Sequence, residues 1–450
     1  MKTLYVHLGQ QKTGSTTLQR FCAINREALG AHGVAYPLMP FKYRYVTKAR
    51  NGHFLIGMTK DKEGNPTPQR QQRRERTAWR LIGEAFETHD AVLLSDERLW
   101  DRSANEHPFW ESVLQHAEQS GWHVQAIVYL RRQDKLAASW YNQMVEQGGL
   151  TGTKPWEQWV AAPRDIQLDF HANLQRIARY LGRGNITVRV YDRAELERDG
   201  GNLYTDFLGC LGLQMCEDFQ LPERDHNAVS LTPNFQLLLC AINASPHHAR
   251  VGGDIFRQAA ERCSGQPGAT PRMAMFSADE ARAFMARYEK GNNRIAAEYL
   301  HRAGPLFPPD FPQVQKWTAD NQWLWGDLLR YFQCVRGLQN EQIAARGTEE
   351  AAPEAADAGQ TTEWLAHLQP CEVHEQEVYA HVASCLGELF LLRQSLLEAG
   401  RHLEPLDAAT VECLAQLLLV HARKIAGLQA AEATEPAPGP LARAKRKLLP

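Results

Sequence analysis

The residues best placed for chemistry lie near the amino terminus, in a glycine-bounded loop that precedes a helical pattern. The apolar run Leu4–Leu8 predicts a buried strand, and Gly9 and Gly14 bracket the loop that follows it. Beyond the loop, mostly apolar side chains recur at helical spacing from Leu18 to Leu29. Backbone N–H groups of such a loop and the positive end of the helix converge on an anion. The stretch therefore predicts a phosphate-binding loop.

The position of the lysine separates this loop from that of nucleotide hydrolases, which reads G-x-x-x-x-G-K-[ST]. Gly9, Gly14 and Thr16 keep that spacing. Ser15, however, occupies the lysine position, and the lysine lies inside the loop as Lys12. Such a loop still holds phosphates, but it lacks the usual lysine for the β- and γ-phosphates of a nucleotide. This departure argues against a typical ATPase or kinase.

Two later apolar runs end in charged residues that a parallel sheet would bring towards the loop. Ala91–Ser95 predicts a strand that ends in Asp96 and Glu97, and Val124–Leu130 predicts one that leads into Arg131. The carboxyl ends of parallel strands face the ligand crevice of an open sheet. Asp96 after an apolar strand is also compatible with a Walker-B magnesium ligand, which keeps a nucleotide kinase or hydrolase open as an alternative.

The segment Lys12–Thr17 resembles the 5′-phosphosulfate loop of sulfotransferases that use 3′-phosphoadenosine 5′-phosphosulfate (PAPS). Bacterial members carry a His-x-Gly-x-x-Lys-Thr-Gly-x-Thr pattern, which is matched in order by His7, Gly9, Lys12, Thr13, Gly14 and Thr16. Arg131, with Ser139 eight residues on, resembles the 3′-phosphate motif of the same family. The Ser-x-Glu that ends in Glu97 resembles a further element of it.

The resemblance implies a set of cofactor-binding residues and no metal. The 5′-phosphosulfate would be held by Gly9, Lys12, Thr13, Gly14, Ser15, Thr16 and Thr17. Arg131 and Ser139 would hold the 3′-phosphate and so distinguish PAPS from ATP, although Arg131 could instead pair with the nearby Asp134. Lys12 would also be catalytic, because it can stabilise charge on the departing bridging oxygen during in-line displacement.

The general base has two candidates. Glu97 is the first, because it ends a strand at the ligand face and the family carries an acid there. His53 is the second, because similar enzymes often carry a histidine between the loop and the next strand. Gln19 occupies the helix position where some carbohydrate sulfotransferases carry a glutamate base, and it cannot take a proton. His7 is expected to be a packed histidine of the first strand or one that supports the residues of the site from behind, rather than a base.

Strands that alternate with helices, including a fourth strand at Ile186–Tyr191, predict an α/β doubly wound parallel sheet flanked by helices. The resemblance implies that the sheet is P-loop-like. The resemblance extends over residues 1–312, which form the predicted sulfotransferase domain. After it, the sequence predicts a helical extension at 313–345, a linker at 346–362, a helical region at 363–429 and a flexible basic tail at 430–450.

Composition indicates an ordinary globular protein of 450 residues, with 44% hydrophobic and 23% charged residues. The net charge of −2 gives no indication of a nucleic-acid partner, and none is expected. Nine scattered cysteines without a C-x-x-C pair favour free thiols in a reducing compartment over disulfides or a zinc site. No secretory signal and no apolar run of membrane-spanning length is found, so a cytoplasmic protein of bacterial type is expected.

Three functions remain open at this point. The first is a PAPS-dependent sulfotransferase that acts on a hydroxyl or amine. The second is a P-loop nucleotide kinase or hydrolase, and the third is a non-catalytic nucleotide-binding scaffold. A carbohydrate, a lipid or a small metabolite would all be compatible acceptors. The basic residues between 42 and 80 are typical of a solvated surface, and the alternative is a basic wall beside the site that would favour an anionic glycan. The amphipathic C-terminal helices, with one face at Val382, Cys385, Leu389, Leu392 and Leu396, predict packing on the catalytic domain or self-association.

Overall fold

The chain forms two compact units, each built from segments that are separate in the sequence. A computed structural model describes residues 1–44, 46–105, 107–149, 155–161, 166–222, 231–244, 254–264, 273–311, 313–318, 321–345, 375–398 and most of 403–422. The first unit consists of residues 1–140, 163–225 and 278–312, and the second of residues 141–162, 226–277 and 313–450. The last segment of the first unit thus ends at the predicted domain boundary, whereas 141–162 and 226–277 group with the second unit. The predicted linker and tail lie outside the described residues.

The first unit is built on a five-stranded, all-parallel sheet, which confirms the predicted α/β class. The strands are β1 (Thr3–His7), β2 (Val34–Ala35), β3 (Ala91–Ser95), β4 (His123–Leu130) and β5 (Ile186–Val190). Their spatial order is β2-β3-β1-β4-β5. The four predicted strands are all present, with ends shifted by at most one residue. The short β2 was not predicted, because two residues carry no detectable period.

Sixteen α-helices have defined bounds in the described part of the chain. Their bounds are α1 Ser15–Ile24, α2 Arg26–Ala31, α3 Pro68–Thr88, α4 Arg98–Ala104, α5 Phe109–Ser120, α6 Gln133–Glu146, α7 Pro155–Ala161, α8 Phe170–Leu181, α9 Arg193–Leu196, α10 Leu203–Cys210, α11 Pro233–Asn243, α12 Asp254–Ser264, α13 Ala278–Ala286, α14 Glu289–Tyr299, α15 Leu324–Ala345 and α16 Glu375–Glu398. None of the described helices is both long enough and apolar enough to cross a membrane.

Helices cover both faces of the sheet. All five residues of β3 are buried, as expected for a parallel strand packed on both sides. On one face, Leu93 and Tyr129 share a hydrophobic cluster with Phe21 of α1, Leu29 of α2 and Phe207 of α10. Alternate residues of the strands point the other way, where α3 packs against β3, and α5 and α8 pack against β4.

The order of the strands fixes where a ligand crevice can form. From β1 the chain passes to β2 on one side of the sheet, and from β4 it passes to β5 on the other. In open α/β sheets the crevice lies outside the carboxyl ends of adjacent strands whose connections diverge in this way. The loop after β1 and the segment after β4 therefore border the same crevice.

The second unit contains a helical cluster in which α12 packs against α15, and α11 packs against both α15 and α16. In the predicted helical extension at 313–345, the helix begins only at Leu324 and ends at Ala345. The predicted apolar face of α16 is wrong in part, because Leu392 and Leu396 are 56% and 38% exposed. Leu386 and Phe390 are fully buried instead. The helix carries apolar side chains on all of its faces. The 3.6-residue period therefore could not show which face is buried.

Candidate functional site

The loop between β1 and α1 depends on both of its predicted glycines. Gly9 and Gly14 have φ angles of 87° and 76°, in the region where side chains are disfavoured. A Cβ atom on Gly9 would lie 2.8 Å from the Cα of Glu97. A Cβ atom on Gly14 would lie 2.6 Å from Cδ2 of Leu203. The loop thus contacts the end of β3 on one side and the start of α10 on the other, as only glycine allows.

A hydrogen bond within the loop precedes an uncapped helix start. The buried Thr13 hydroxyl donates to the carbonyl of Gln10 over 2.6 Å. Helix α1 begins at Ser15 with no side-chain cap on its N-terminal N–H groups. The side chains of Thr16 and Thr17 in this first turn are exposed. Uncapped N–H groups at an exposed helix start are the donors that an anion would use.

Arg131 reaches this loop from the end of β4. Its Nη1 donates to the carbonyl of Lys12 over 2.9 Å, and its backbone N–H donates to Oε1 of Gln10 over 3.1 Å. Asp134, the alternative partner considered from the sequence, forms its short ion pair with Arg132, at 2.7 Å. Burial lowers the pKa of Arg131, the response of a cation removed from water. An anionic ligand beside it would offset that cost.

Ser139, the other predicted 3′-phosphate residue, lies half-buried on α6. This helix begins two residues after Arg131. The structure shows no hydrogen bond between the side chains of Ser139 and Arg131. Its role therefore stays a prediction.

An open cleft of about 330 Å³ adjoins the loop. Its walls are formed by Arg131, Lys135, Tyr191, Asp192, Arg193, Leu196, Glu197, Asn202 and Leu203. Lys135 lies 3.4 Å from Asp192, and Arg193 pairs with Glu197 at 2.7 Å. The Arg131 guanidinium lies 5.9 Å from the centre of the Tyr191 ring. The cleft therefore combines an aromatic surface with a cation that also contacts the loop.

Glu97 lies on the other side of the loop, as the strand-end argument predicted. Gln19 of α1 donates to its Oε2 over 2.7 Å, and Nη1 of Arg50 lies 3.1 Å from its Oε1. Burial raises the pKa of Glu97, and the neighbouring charge of Asp96 raises it further. Some carbohydrate sulfotransferases carry a glutamate base at the position of Gln19. Here Gln19 instead orients the carboxylate of Glu97. A carboxyl with a raised pKa is suited to accept a proton near neutral pH.

Asp96 is fully buried and is the centre of a hydrogen-bond network. Arg50 donates to both of its oxygens, over 3.0 and 2.7 Å, and Nδ1 of His53 donates over 2.8 Å. Burial by itself would raise the pKa of Asp96, but the bonds from His53 and Arg50 outweigh it and hold the pKa below its usual value. The network places both predicted base candidates, Glu97 and His53, within reach of one arginine and one buried carboxylate.

His7 is a packed histidine, as predicted. It is fully buried, shares a 2.8 Å hydrogen bond with the hydroxyl of Ser95, and its ring lies 5.1 Å from that of Phe207. Burial lowers the pKa of His7 to about 4. The side chain is therefore neutral at physiological pH and supports the strand beneath the loop.

Three site residues were missed by the sequence reasoning. Arg50 was counted only as part of a basic stretch, and Gln10 only as a loop position. Asp101 of α4 accepts a 2.7 Å hydrogen bond from Gln11, and burial raises its pKa to about 6. Arg50, Gln10 and Asp101 each belong to the site through a contact with a residue far away in the sequence. The local sequence pattern contains no signal that predicts such a contact.

Comparisons with protein-family models, with curated proteins and with solved structures found no match to this chain.

Proposed function

We propose that the chain is a PAPS-dependent sulfotransferase that transfers a sulfuryl group to a hydroxyl or amine of an acceptor. The observation that carries the proposal is the contact between Arg131 and the carbonyl of Lys12. It joins the two motifs that the resemblance assigns to opposite ends of one nucleotide, the 5′-phosphosulfate loop and the 3′-phosphate arginine. The neighbouring strands β1 and β4 bring these two segments together, and the residues found there, a phosphate-type loop and an arginine, are what support a nucleotide with phosphates at both ends.

The fold supports a P-loop-like assignment. The loop follows the central strand β1 and leads into α1, and it lies at the point where the connections of β1 and β4 diverge. This is the location that a phosphate-binding loop requires, because backbone N–H groups and a helix start meet there.

The residues of the loop and cleft can be assigned to parts of PAPS. The N–H groups from Thr13 to Thr16 and the side chain of Lys12 would bind the 5′-phosphosulfate. Arg131, with Ser139, would bind the 3′-phosphate by charge-assisted hydrogen bonds. The cleft beside Tyr191 would receive the adenosine, since its volume lies in the range of small-molecule sites.

Transfer breaks the bond between sulfur and the bridging oxygen of the donor as the acceptor oxygen or nitrogen bonds to sulfur. Lys12 stabilises the charge left on the departing oxygen. Glu97 takes the proton of the acceptor, which its raised pKa and its position against the loop both favour. His53, oriented by Asp96, is the alternative base.

The acceptor is proposed to carry an anionic group, such as that of an acidic carbohydrate or metabolite. A small pocket beside His53 is lined by Lys42, Lys48 and Arg50. The charge of Arg50 is offset by Asp96 and Glu97, so Lys42 and Lys48 are the cations that would attract an anionic acceptor to this pocket.

The kinase or hydrolase alternative loses its main support in Asp96. A magnesium ligand at that position needs a carboxylate oxygen that is available to the ion. Both oxygens of Asp96 accept hydrogen bonds from Arg50, and one also accepts from His53. A non-catalytic scaffold stays as the alternative that experiment must separate from an enzyme.

The test is calorimetric binding of adenosine 3′,5′-bisphosphate, ADP and ATP without magnesium. We expect the bisphosphate to bind at least about tenfold more tightly than ADP, and Arg131→Ala to remove that preference. Arg193→Ala is the matched control, because Arg193 lines the same cleft with an 87% exposed side chain. A preference for ATP, or no nucleotide binding, would overturn the proposal. Bisphosphate binding without transfer to any acceptor would favour the scaffold.

A further inference from the structure

Three side chains of metal-binding type meet on the surface of the first unit. His32 follows α2, and Cys216 and Asp218 lie in the segment after α10. Nε2 of His32 lies 3.1 Å from Oδ2 of Asp218, and Sγ of Cys216 lies 3.6 Å from each of these two atoms. The ligand atoms of these three side chains all lie within 4.8 Å of one another. No second group of three or more His, Cys, Asp or Glu side chains meets this condition among the described residues.

Both distances from the Cys216 sulfur match the edges of a tetrahedron around one zinc ion, and the distance between His32 and Asp218 is slightly shorter than such an edge. With ordinary Zn–S, Zn–N and Zn–O bond lengths and tetrahedral angles, the expected separations are about 3.6 Å for S···N, about 3.6 Å for S···O and about 3.4 Å for N···O. The observed separations are 3.6, 3.6 and 3.1 Å. A thiolate and an imidazole favour zinc over magnesium or calcium, which prefer oxygen ligands.

The segment that carries Cys216 and Asp218 is fixed against α1. The side chain of Asn25, which is 3% exposed, accepts from the N–H of Gln220 over 2.7 Å and donates to its carbonyl over 2.8 Å. Phe219 also stacks on the ring of His32, with 5.4 Å between ring centres. The His32 ring is thus held by stacking, and the backbone two residues beyond Asp218 is anchored to Asn25, which lowers the entropic cost of bringing the two segments together around an ion.

We propose that His32, Cys216 and Asp218 bind one Zn²⁺ ion, with water in the fourth position. His32 lies just before β2, at the amino edge of the sheet, whereas the loop that contains Lys12 lies after β1 at the carboxyl edge. The site is therefore separate from the proposed donor site, and the inference does not depend on the sulfotransferase proposal. The ion would join the connection between α2 and β2 to the segment after α10.

The test is titration of the metal-free full-length chain with Zn²⁺ and, as a spectroscopic probe, with Co²⁺. We expect one tight equivalent of Zn²⁺, a thiolate-to-cobalt charge-transfer band, and a higher melting temperature with zinc. Cys216→Ser should remove the band, and His32→Gln should weaken zinc binding at least about tenfold.

The matched control is Cys385→Ser, because Cys385 lies at the same 3.6 Å from a histidine nitrogen, that of His381. This substitution should leave the stoichiometry and the band unchanged. All three ligands are exposed, so the variants are expected to fold, and circular dichroism of each checks this. An unchanged band in Cys216→Ser, or no zinc binding by the folded wild type, would overturn the proposal and leave a surface His–Asp ion pair beside a thiol.

Discussion

The Nη1 atom of Arg131 donates to the backbone carbonyl of Lys12 over 2.9 Å, although 119 residues separate the two in sequence. The bond ties the end of β4 to the loop after β1, and it uses the main chain of Lys12 rather than its ammonium group. The side chain of Lys12 can therefore be changed without removing this tie. That separation of roles allows binding and catalysis to be tested independently.

Lys12→Ala should reduce sulfuryl transfer about 100-fold or more, the usual cost of removing one stabilising group from a developing charge. The midpoint of urea unfolding should change little, because the substitution keeps the carbonyl that accepts from Arg131. Steady-state rates with saturating donor give the first quantity. Lys135→Ala, which removes a lysine from the wall of the same cleft, is the control and should retain most of the activity. Full activity of the Lys12 variant would remove this residue from the mechanism.

Glu97→Gln should abolish most transfer, by roughly 100-fold or more, while binding of adenosine 3′,5′-bisphosphate stays within about twofold. Glutamine keeps the shape of the side chain and an oxygen to accept from Gln19, but it cannot take a proton. In the wild type, the rate should rise with pH through the raised pKa of Glu97, because only the ionised carboxylate acts as a base. An active Glu97 variant would transfer the role to His53, and His53→Asn would then be the inactive one.

The approach of Glu97 to the loop could be predicted because it follows from local pattern alone. An apolar run marks a strand, its last residues lie at the carboxyl edge, and parallel strands share that edge. The link between Arg50 and Asp96 could not be predicted in this way. It joins the end of β3 to a segment without regular structure, 46 residues away. The bond from Arg131 to Gln10 similarly depends on how the loop turns after β1.

Gly9→Ala should destabilise the protein by about 2–4 kcal/mol, because the new Cβ would add a steric overlap to a strained backbone. The overlap is with the backbone of Glu97, at 2.8 Å, which cannot move as a side chain could. Gly121→Ala is the matched control. Gly121 also has a positive φ angle, 70°, but a Cβ there would meet nothing within 4 Å. Gly121→Ala should lower the free energy of unfolding by only about 1 kcal/mol.

Urea unfolding of the two glycine variants measures the difference directly. Equal destabilisation would mean that the loop can shift away from β3 at little cost. In that case Glu97 would not be held at a fixed distance from the loop, which would count against its role as the base.

The pH dependence of stability should contain two opposing contributions, from His7 and Asp101. The pKa of His7 falls from about 6.5 in the unfolded chain to about 4 in the folded protein. Its contribution is therefore present above pH 6.5 and is lost as the pH falls towards 4, by about 3 kcal/mol. The pKa of Asp101 rises to about 6 on folding, so the folded state gains stability as the pH falls from 6 towards 4, by up to about 3 kcal/mol.

These two contributions should nearly cancel in the wild type between pH 6 and pH 4. Its free energy of unfolding should therefore change less over this range than that of a variant that lacks either group. His7→Asn removes the titrating ring but keeps a polar group near Ser95, so this variant should become relatively more stable as the pH falls. Asp101→Asn should show the opposite slope, because only the His7 contribution then remains. Urea unfolding at several pH values measures all three slopes. Parallel curves for the wild type and His7→Asn would mean that the buried imidazole does not titrate in this range, and that acid sensitivity arises elsewhere in the chain.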